Sequence, residues 1–438
     1  MSDTRTAAGD VEGTSPAMSW PRERLRHFGP RQKGLIPVRA GRMDLSGDLT
    51  ALGTLIGDYP LPAIAENAEQ PWRGITTDGD VIAGLYALAD HGFDCAPAAA
   101  AARSFLASLP SDVRATALHP LDSSAWRKWS NAFPDWEPTG VCLQEVDSDA
   151  RNAGMRLMEC SLSDAGFRTA RGVMRLNRTC GELVDDYADT LTEWMYFLTI
   201  FGEPDTSQPW GWQLSGHHLD INCVFVGGQI VLTPTFMGAE PWFAESGSFA
   251  GTEVLAAERA VGYDFFASLS PSQRAQATLY PSILRQDLPH DLAGPIDGRH
   301  LSGAGQDNRL IPYTGLPAKD LSEQQRARLR DVVAPYLERL PNGPRQAKFD
   351  EVDRWLSQSW FAWIGGDDPH GPFYYKLHSP VILIEYDNHG GIFFDNDEAE
   401  PFHTHTIVRT PNGNDYGKDL LRQHYEQHHH TQADQPSN

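Results

Sequence analysis

The residues best able to do chemistry in this 438-residue chain are histidines set in strand-like text. In PFHTHTIVR, His403 and His405 are one residue apart. A strand sends every second side chain to the same face, so both imidazoles point one way, as two ligands of one metal ion on a rigid element must. Upstream, EYDN offers Glu385 and Asp387 at the same spacing. Antiparallel pairing of the two strands sets a carboxylate opposite the histidines, and Glu385 is the one assigned to the ligand set. GWQLSGHHLDIN adds His217 and His218. On a regular strand these face opposite ways, so one is expected as a ligand and the other as a contact behind it or to substrate. Arg409, four residues beyond His405 on the same face, is suited to hold a substrate carboxylate bidentately, or to pair with Glu385 or Asp387. The expected metal set is therefore His217, His218, Glu385, His403 and His405, with catalytic contacts from His218 and Arg409.

Two histidines and a carboxylate suit non-haem iron(II), three histidines with a Glu suit iron or manganese, and three histidines alone suit copper or zinc. The expected cofactor is one divalent transition metal, Fe, Cu or Zn. An isolated HxH is often only the polar outer side of an edge strand; the HH pair and the carboxylate strand favour a metal site. No GxxxxGK[ST], GxGxxG after a strand, HExxH or GxSxG occurs, which removes the usual support for nucleotide, zincin and serine-hydrolase chemistry. The function expected is a metal-dependent enzyme acting on a small molecule. Oxidoreductase chemistry stands ahead of zinc-dependent hydrolysis, because no general base such as the Glu of HExxH is visible. The contrasting class is a metal-free binding protein whose histidines are hydrogen-bonded core groups.

Positioning elements of both kinds are legible. Val81 to Ala89, Ala98 to Leu109, Asp149 to Cys160, a stretch from Ser161 or Ser163 through Leu176, and Leu183 to Ile200 read as helices by apolar spacing. Trp212 to Phe225 and Gln229 to Thr235 read as strands joined at Gly227-Gly228. Thr252 to Leu269 returns to helix, Ser270 to Gln273 has capping-box spacing, and a helix from Ser322 meets Pro335. Phe361 to Arg409 reads as short strands. In TPNGNDYGKDLL, Asp415 is expected as an N-cap. No repeat with a period of roughly 20–50 residues is visible. The fold class expected is α+β, a helical first half packed on a mixed or antiparallel sheet from strands near 212–235 and 361–409.

Lys and Arg number 36 and Asp and Glu 58, a net charge of −22. That balance repels phosphate backbones and anionic membranes. No apolar run reaches the roughly 18–20 residues of a membrane helix. The charge is uneven: Trp20 to Met43 carries +6, from Arg22, Arg24, Arg26, Arg31, Lys33, Arg39 and Arg42 against Glu23. Such an arm can grip nucleic acid or an acidic partner, or it folds back on its own acidic body or, in a homo-oligomer, on a neighbour. Five cysteines without CxxC spacing and no signal-peptide pattern fit a reducing, cytoplasmic setting. Residues 1–45 are read as a disordered or basic arm, 72–424 as one integrated domain, and 425–438, with His428, His429 and His430, as a disordered tail.

Several segments carry a resemblance: GITTDG (74–79), WRKWSN (126–131), WGWQLSGHHLDIN (210–222), TPTFMGAEP (233–241), LIEYDN (383–388) and HTHTIVRTPNGNDYGKDLL (403–421). In this order they resemble the bacterial family of domain of unknown function 3500, over about 72–424. The resemblance implies a single integrated domain and lays the family's GHHL, EYDN and HxH elements on His217, His218, Glu385, His403 and His405. It brings no activity with it. The chain departs from the family pattern in its N-terminal arm and in His389 to Phe402, whose acids Asp395, Asp397, Glu398 and Glu400 either shape a site mouth or solvate an insertion.

Overall fold

A computed structural model describes residues 19–31, 38–39, 42–43, 64–132, 138–184, 187–294 and 299–433. Its centre is a mixed sheet of 13 strands among the described residues. Eight of them form its body: β1 (Tyr196–Phe201), β2 (Trp210–Gly216), β3 (Leu219–Val226), β4 (Thr235–Ala239), β5 (Trp360–Ile364), β6 (Tyr374–His378), β7 (Leu383–Asn388) and β8 (Thr404–Arg409). Their spatial order is β5-β6-β7-β8-β4-β3-β2-β1, antiparallel throughout. Thr278–Tyr280 adds in parallel outside β5, and Leu118–His119 in parallel outside β1. The fold is α+β.

Eight of the eleven described helices are α1 (Ser19–Leu25), α2 (Ala96–Ser108), α3 (Ser148–Ser161), α4 (Asp164–Val184), α5 (Ala256–Ala267), α6 (Glu323–Leu337), α7 (Asn342–Trp355) and α8 (Lys418–Ala433). Their starts follow local chemistry. Asp147 accepts the N–H groups of Asp149 and Ala150 ahead of α3, and Ser322 with Gln325 closes a capping box ahead of α6. Pro335 falls in the last turn of α6, so the helix ends with it.

Residues paired across neighbouring strands project to the same side of a sheet, which gives this sheet two unlike faces. One is apolar and covered by helices: Phe266 of α5 stacks on Trp363 at 4.0 Å, Tyr336 of α6 meets the Tyr375 hydroxyl at 2.6 Å, and Trp212 donates to Ser161 of α3. The other carries Asp220, Asn222, Glu385, Asp387, His405 and Arg409, and is covered by loops and by Trp126, which stacks on Phe201 at 3.8 Å. Buried polar groups need partners, and loops with free backbone N–H and C=O groups can supply them.

Strand order and connectivity show an internal duplication. In each half, a helix (α2 or α5), a short helix (Ser111–Ala117 or Pro271–Ala277), a short parallel edge strand, a two-residue strand (Val141–Cys142 or Leu316–Pro317) and two helices precede four meandering strands. The halves meet antiparallel along β4 and β8. Sequence traces remain: Arg114-Ala115-Thr116-Ala117 corresponds to Arg274-Ala275-Gln276-Ala277, and Thr139-Gly140-Val141 to Thr314-Gly315-Leu316. Gly140 and Gly315 both have positive φ, and a Cβ on either would run into the backbone of the adjoining strand, at Leu198 or Phe361. The period, about two-fifths of the chain, exceeds the roughly 20–50 residues at which repeats are usually sought.

Several expectations are corrected. Val81 to Ala89 is irregular, not helical. The helix expected over Leu183 to Ile200 is the end of α4, then a turn, then β1: its apolar spacing came from a strand buried along its whole length. Trp212 to Phe225 is two strands, turning at His217-His218. Asp415 caps no helix; its carboxylate accepts the Thr410 N–H and faces Arg409. The stretch expected as a tail is helical to Ala433, while 434–438 and 1–18 lie outside the described residues.

Candidate metal centre

The β2–β3 turn is only two residues long, so His217 and His218 sit on its tip rather than on a strand. His218 is held at φ 63°, in the left-handed region a non-glycine residue enters at a cost of about 1–3 kcal/mol. Two backbone bonds fix it there: its N–H donates to Asn131 O, and its carbonyl accepts the Gly238 N–H at 2.8 Å. The two rings stack 3.9 Å apart. His218 reaches over β4 towards β8, while His217 turns back, with Nδ1 2.7 Å from Asn177 Oδ1 on the buried stripe of α4.

His403 and His405 flank Thr404 at the start of β8 and face the loop-covered side. His403 Nε2 lies 3.0 Å from His218 Nε2 and 3.0 Å from His405 Nε2. All three residues are at most 5% exposed. The proton count at this meeting point is decisive. His403 Nδ1 is 2.8 Å from Gly390 O, and a carbonyl only accepts, so Nδ1 carries the hydrogen and Nε2 of the neutral ring offers a bare lone pair. One lone pair cannot satisfy two N–H donors equally well. A cation among the three Nε2 atoms satisfies all of them, and nitrogen–metal bonds of about 2.0–2.1 Å require ligand atoms at roughly this separation.

Gly238 pairs with His405 across β4–β8, and its lack of a side chain gives the rings room. A Cβ there would lie 2.8 Å from His405 Cδ2, 2.8 Å from Thr404 O and 3.2 Å from His218 Cδ2. Gly238→Ala is expected to displace both rings and weaken metal binding about 10–100-fold, the range typical of disturbed support around a metal. A competition titration against a chromophoric chelator measures it.

Behind the three rings lie carboxylates. Asp387 stands directly opposite His405 in the β7–β8 register, with Oδ1 3.7 Å from His405 Nδ1. Burial opposes its charge, but His300, His389 and Arg299 hold it below the usual carboxylate range. Glu240, at the end of β4, is 3.7 Å from His403 Nδ1 and accepts the N–H groups of Ile392 at 3.1 Å and Phe394 at 3.4 Å. Burial outweighs those bonds and pushes its pKa up to about 8.

Glu385, expected in the ligand set, is not brought to the rings. Its Oε1 accepts Leu301 N at 2.9 Å and Tyr374 OH at 2.7 Å, and its Oε2 accepts Ser302 N at 2.8 Å and the Ser302 hydroxyl. With every strong acceptor direction used, it anchors the 299–302 loop. Arg409 is likewise occupied. It is fully buried, with Nε on Ser302 O, Nη2 on Gly303 O, and Nη1 on Asp307 at 2.6 Å and Asp415 at 3.3 Å. Asp307 also takes Arg127 of the WRKWSN segment at 2.9 Å, so the family-like motifs around these residues meet in one buried ion network. Four of its five N–H groups are used in this way, which makes Arg409 a buried anchor rather than a substrate clamp. His300 and His389, the other neighbours of Asp387, lie on irregular loops, which have no period from which facing can be read from sequence.

The acidic stretch 389–402 lies over the rings and is tied down by the basic arm. Arg24 pairs with Glu400, Arg31 with Asp397 at 3.1 Å, and the Gly29 N–H with Asp395 at 2.9 Å, while Arg22 and Arg26 reach Glu253 and Glu245. Glu398 accepts the Arg285 N–H. The described arm therefore folds on its own body, as one of the sequence readings had it. A cavity of about 300 Å³ opens elsewhere, between Tyr86, Ile230, Tyr336 and Lys348, and none of the clustered histidines lines it.

Burial holds His217, His218, His378, His403 and His405 below the ordinary imidazole range, His217 at about 3. The unfolded chain then takes up protons first as pH falls through about 6.5, so the stability these groups contribute is complete above that pH and lost below it. Glu240 works in the opposite sense between about 4.5 and 8, and Asp415 between about 3.8 and 6, two groups against five. Metal-free protein is expected to lose thermal stability steeply from pH 6.5 to 5, at up to about 1.4 kcal/mol per pH unit for each net proton. A melting midpoint that stays level over that window would contradict the neutral cluster.

An α+β sheet protein with a buried three-histidine cluster at the junction of two duplicated halves is the class that fold and site define. The family model for the protein of unknown function DUF3500 matches residues 92–418, and the chain belongs to that family. No curated protein and no solved structure is matched by the chain. Among the described residues no helix is long and apolar enough to cross a membrane.

Proposed function

We propose that the protein is a metal-dependent enzyme in which His218, His403 and His405 hold one divalent ion, and that it acts on a small molecule by oxidation or reduction. The observation that carries this reading is the convergence of three Nε2 atoms on a point where the single lone pair of His403 faces two further ring nitrogens, an arrangement that no choice of tautomers satisfies fully. Three neutral imidazoles with no thiolate suit copper, iron or zinc and leave at least one coordination position for an exogenous ligand. Among the described residues around the rings, none is placed as a dedicated general base: Asp387 faces His405, Glu240 is tied to backbone N–H groups, and Glu385 is saturated. That favours the redox reading over zinc-dependent hydrolysis. A metal-free binding protein would have to leave the same buried nitrogens poorly satisfied.

The acidic 389–402 stretch, pinned by arginines of the arm, is the element that must yield to admit a substrate. A cytoplasmic setting is supported by five cysteines, none of which is in a disulfide. Cobalt(II) provides the test. Cobalt-loaded protein is expected to show a visible ligand-field band that shifts when azide or cyanide enters the open position. A band indifferent to both anions would overturn the catalytic reading, and zinc as the native metal across several metal supplies would favour the hydrolase.

A further inference from the structure

Behind the three-histidine cluster, on the far side of the His405 ring, lies a second concentration of buried polar atoms. Asp387 Oδ1, His405 Nδ1 and both ring nitrogens of His300 are buried and have no hydrogen-bond partner among the described residues. They lie close together: Asp387 Oδ1 is 3.6 Å from His300 Nε2 and 3.7 Å from His405 Nδ1. His389 Nδ1 is 3.9 Å from the other oxygen of Asp387, and Asp387, His389 and His405 each present a donor atom within one ion's reach. Each such atom costs free energy when buried without a partner, and three of them, Asp387 Oδ1, His300 Nε2 and His405 Nδ1, converge on one place that a cation would satisfy.

Resting on the metal reading of the first cluster, we propose that Asp387, His300 and His389 hold a second divalent transition-metal ion, joined to the first through the two ring nitrogens of His405.

The surroundings leave this position open to a cation. Asp387 Oδ2 accepts the Arg299 N–H at 3.2 Å, which turns Oδ1 towards the histidines. The Arg299 guanidinium gives Nη1 to Asn388 O and Nη2 to Ile283 O, and it approaches Asp387 from the Oδ2 side. Donor separations of 3.6–3.7 Å are those of atoms each about 2.0–2.2 Å from a common ion in a wide angle. Imidazole and carboxylate donors without sulfur suit copper, zinc or iron. His405 has Nε2 towards His403 and Nδ1 towards Asp387, so its ring lies between the two positions. A neutral imidazole keeps one N–H, and coordination through both nitrogens releases that proton to solvent. The duplication does not repeat the arrangement: the turn corresponding to His217-His218 reads Ser379-Pro380-Val381-Ile382, with no imidazole.

The test is a copper(II) titration of the full-length metal-free protein with His428, His429 and His430 replaced by alanine, read by equilibrium dialysis and integrated EPR intensity. The expected result is two tightly held copper ions per chain, with the spin signal of the first equivalent largely quenched as the second binds. Asp387→Asn and, independently, His300→Gln should each hold one ion with its full signal, and circular dichroism should match the parent. One ion per chain in the parent, unchanged in either variant, overturns the second position and leaves the first intact. Two ions with undiminished signal overturn the His405 bridge. No tightly held copper overturns the metal reading itself.

Discussion

Arg409→Met is expected to cost about 3–5 kcal/mol of folding stability, the effect of removing one partner from a buried ion pair. The guanidinium sits between Asp307 and Asp415, both almost fully buried, and its remaining donors close the Ser302 and Gly303 carbonyls. Burial opposes the charge of Arg409, yet Asp307 and Asp415 raise its pKa above the ordinary value, so it stays charged at every working pH. Burial has already pushed Asp415 up to about 6; without the cation it would take up a proton near neutrality, whereas Asp307 keeps Arg127. Arg409→Lys should recover only part of the loss, because one ammonium cannot serve four acceptors in a fork. Urea denaturation measures both, with the midpoint falling at unchanged slope. A loss below about 1 kcal/mol for Arg409→Met would mean that the network is not the anchor described and would reopen a substrate role.

His403→Ala is expected to leave the fold standing and abolish tight metal binding at the three-histidine cluster. His403 is the middle ring of the three, with Nε2 3.0 Å from each neighbour, so its loss leaves two ligands that no longer share a corner. The structural penalty is smaller than for Arg409, since the groups left behind, Gly390 O and the His218 and His405 ring nitrogens, are neutral rather than charged. Affinity should fall by a factor of at least about 100, beyond the loss typical of disturbed support. His217→Ala, by contrast, removes a ring that stacks on His218 and faces Asn177, and should weaken binding only about 10–100-fold. A His403→Ala protein that keeps its full metal content would place the ion elsewhere, whatever the fate of His217→Ala.

These contrasts show what the sequence makes legible. The HxH spacing transfers directly to one face of β8, because strand period is a local property. The facing of EYDN is legible to within two residues: the strand and its antiparallel partner follow from pattern, but which carboxylate meets His405 depends on register, and register places Asp387 there. His217 and His218 were given to a strand because strand text runs on both sides of them; a two-residue turn needs a left-handed residue, and histidine gives weaker notice of that than Asn-Gly would. Glu385 and Arg409 have the right types on the right face, yet the loop above, around 299–307, takes up their valences. No periodicity runs through that loop, so neither its course nor His300 within it could be foreseen. Leu183 to Ile200 was misassigned for a related reason: a strand apolar on both sides matches a helical spacing as well as its own. The basic arm and acidic insertion were visible as charge, and their mutual contact is what opposite charges with no other partner would do.

Metal-edge X-ray absorption on the protein purified with the His428 to His430 tail replaced by alanine tests the central claim most directly. The account predicts a bound first-row metal whose nearest shell is nitrogen or oxygen at about 2.0–2.1 Å, with the outer-shell pattern of several imidazoles and no sulfur. A metal content below about 0.2 per chain, or a sulfur shell at about 2.3 Å, would contradict it.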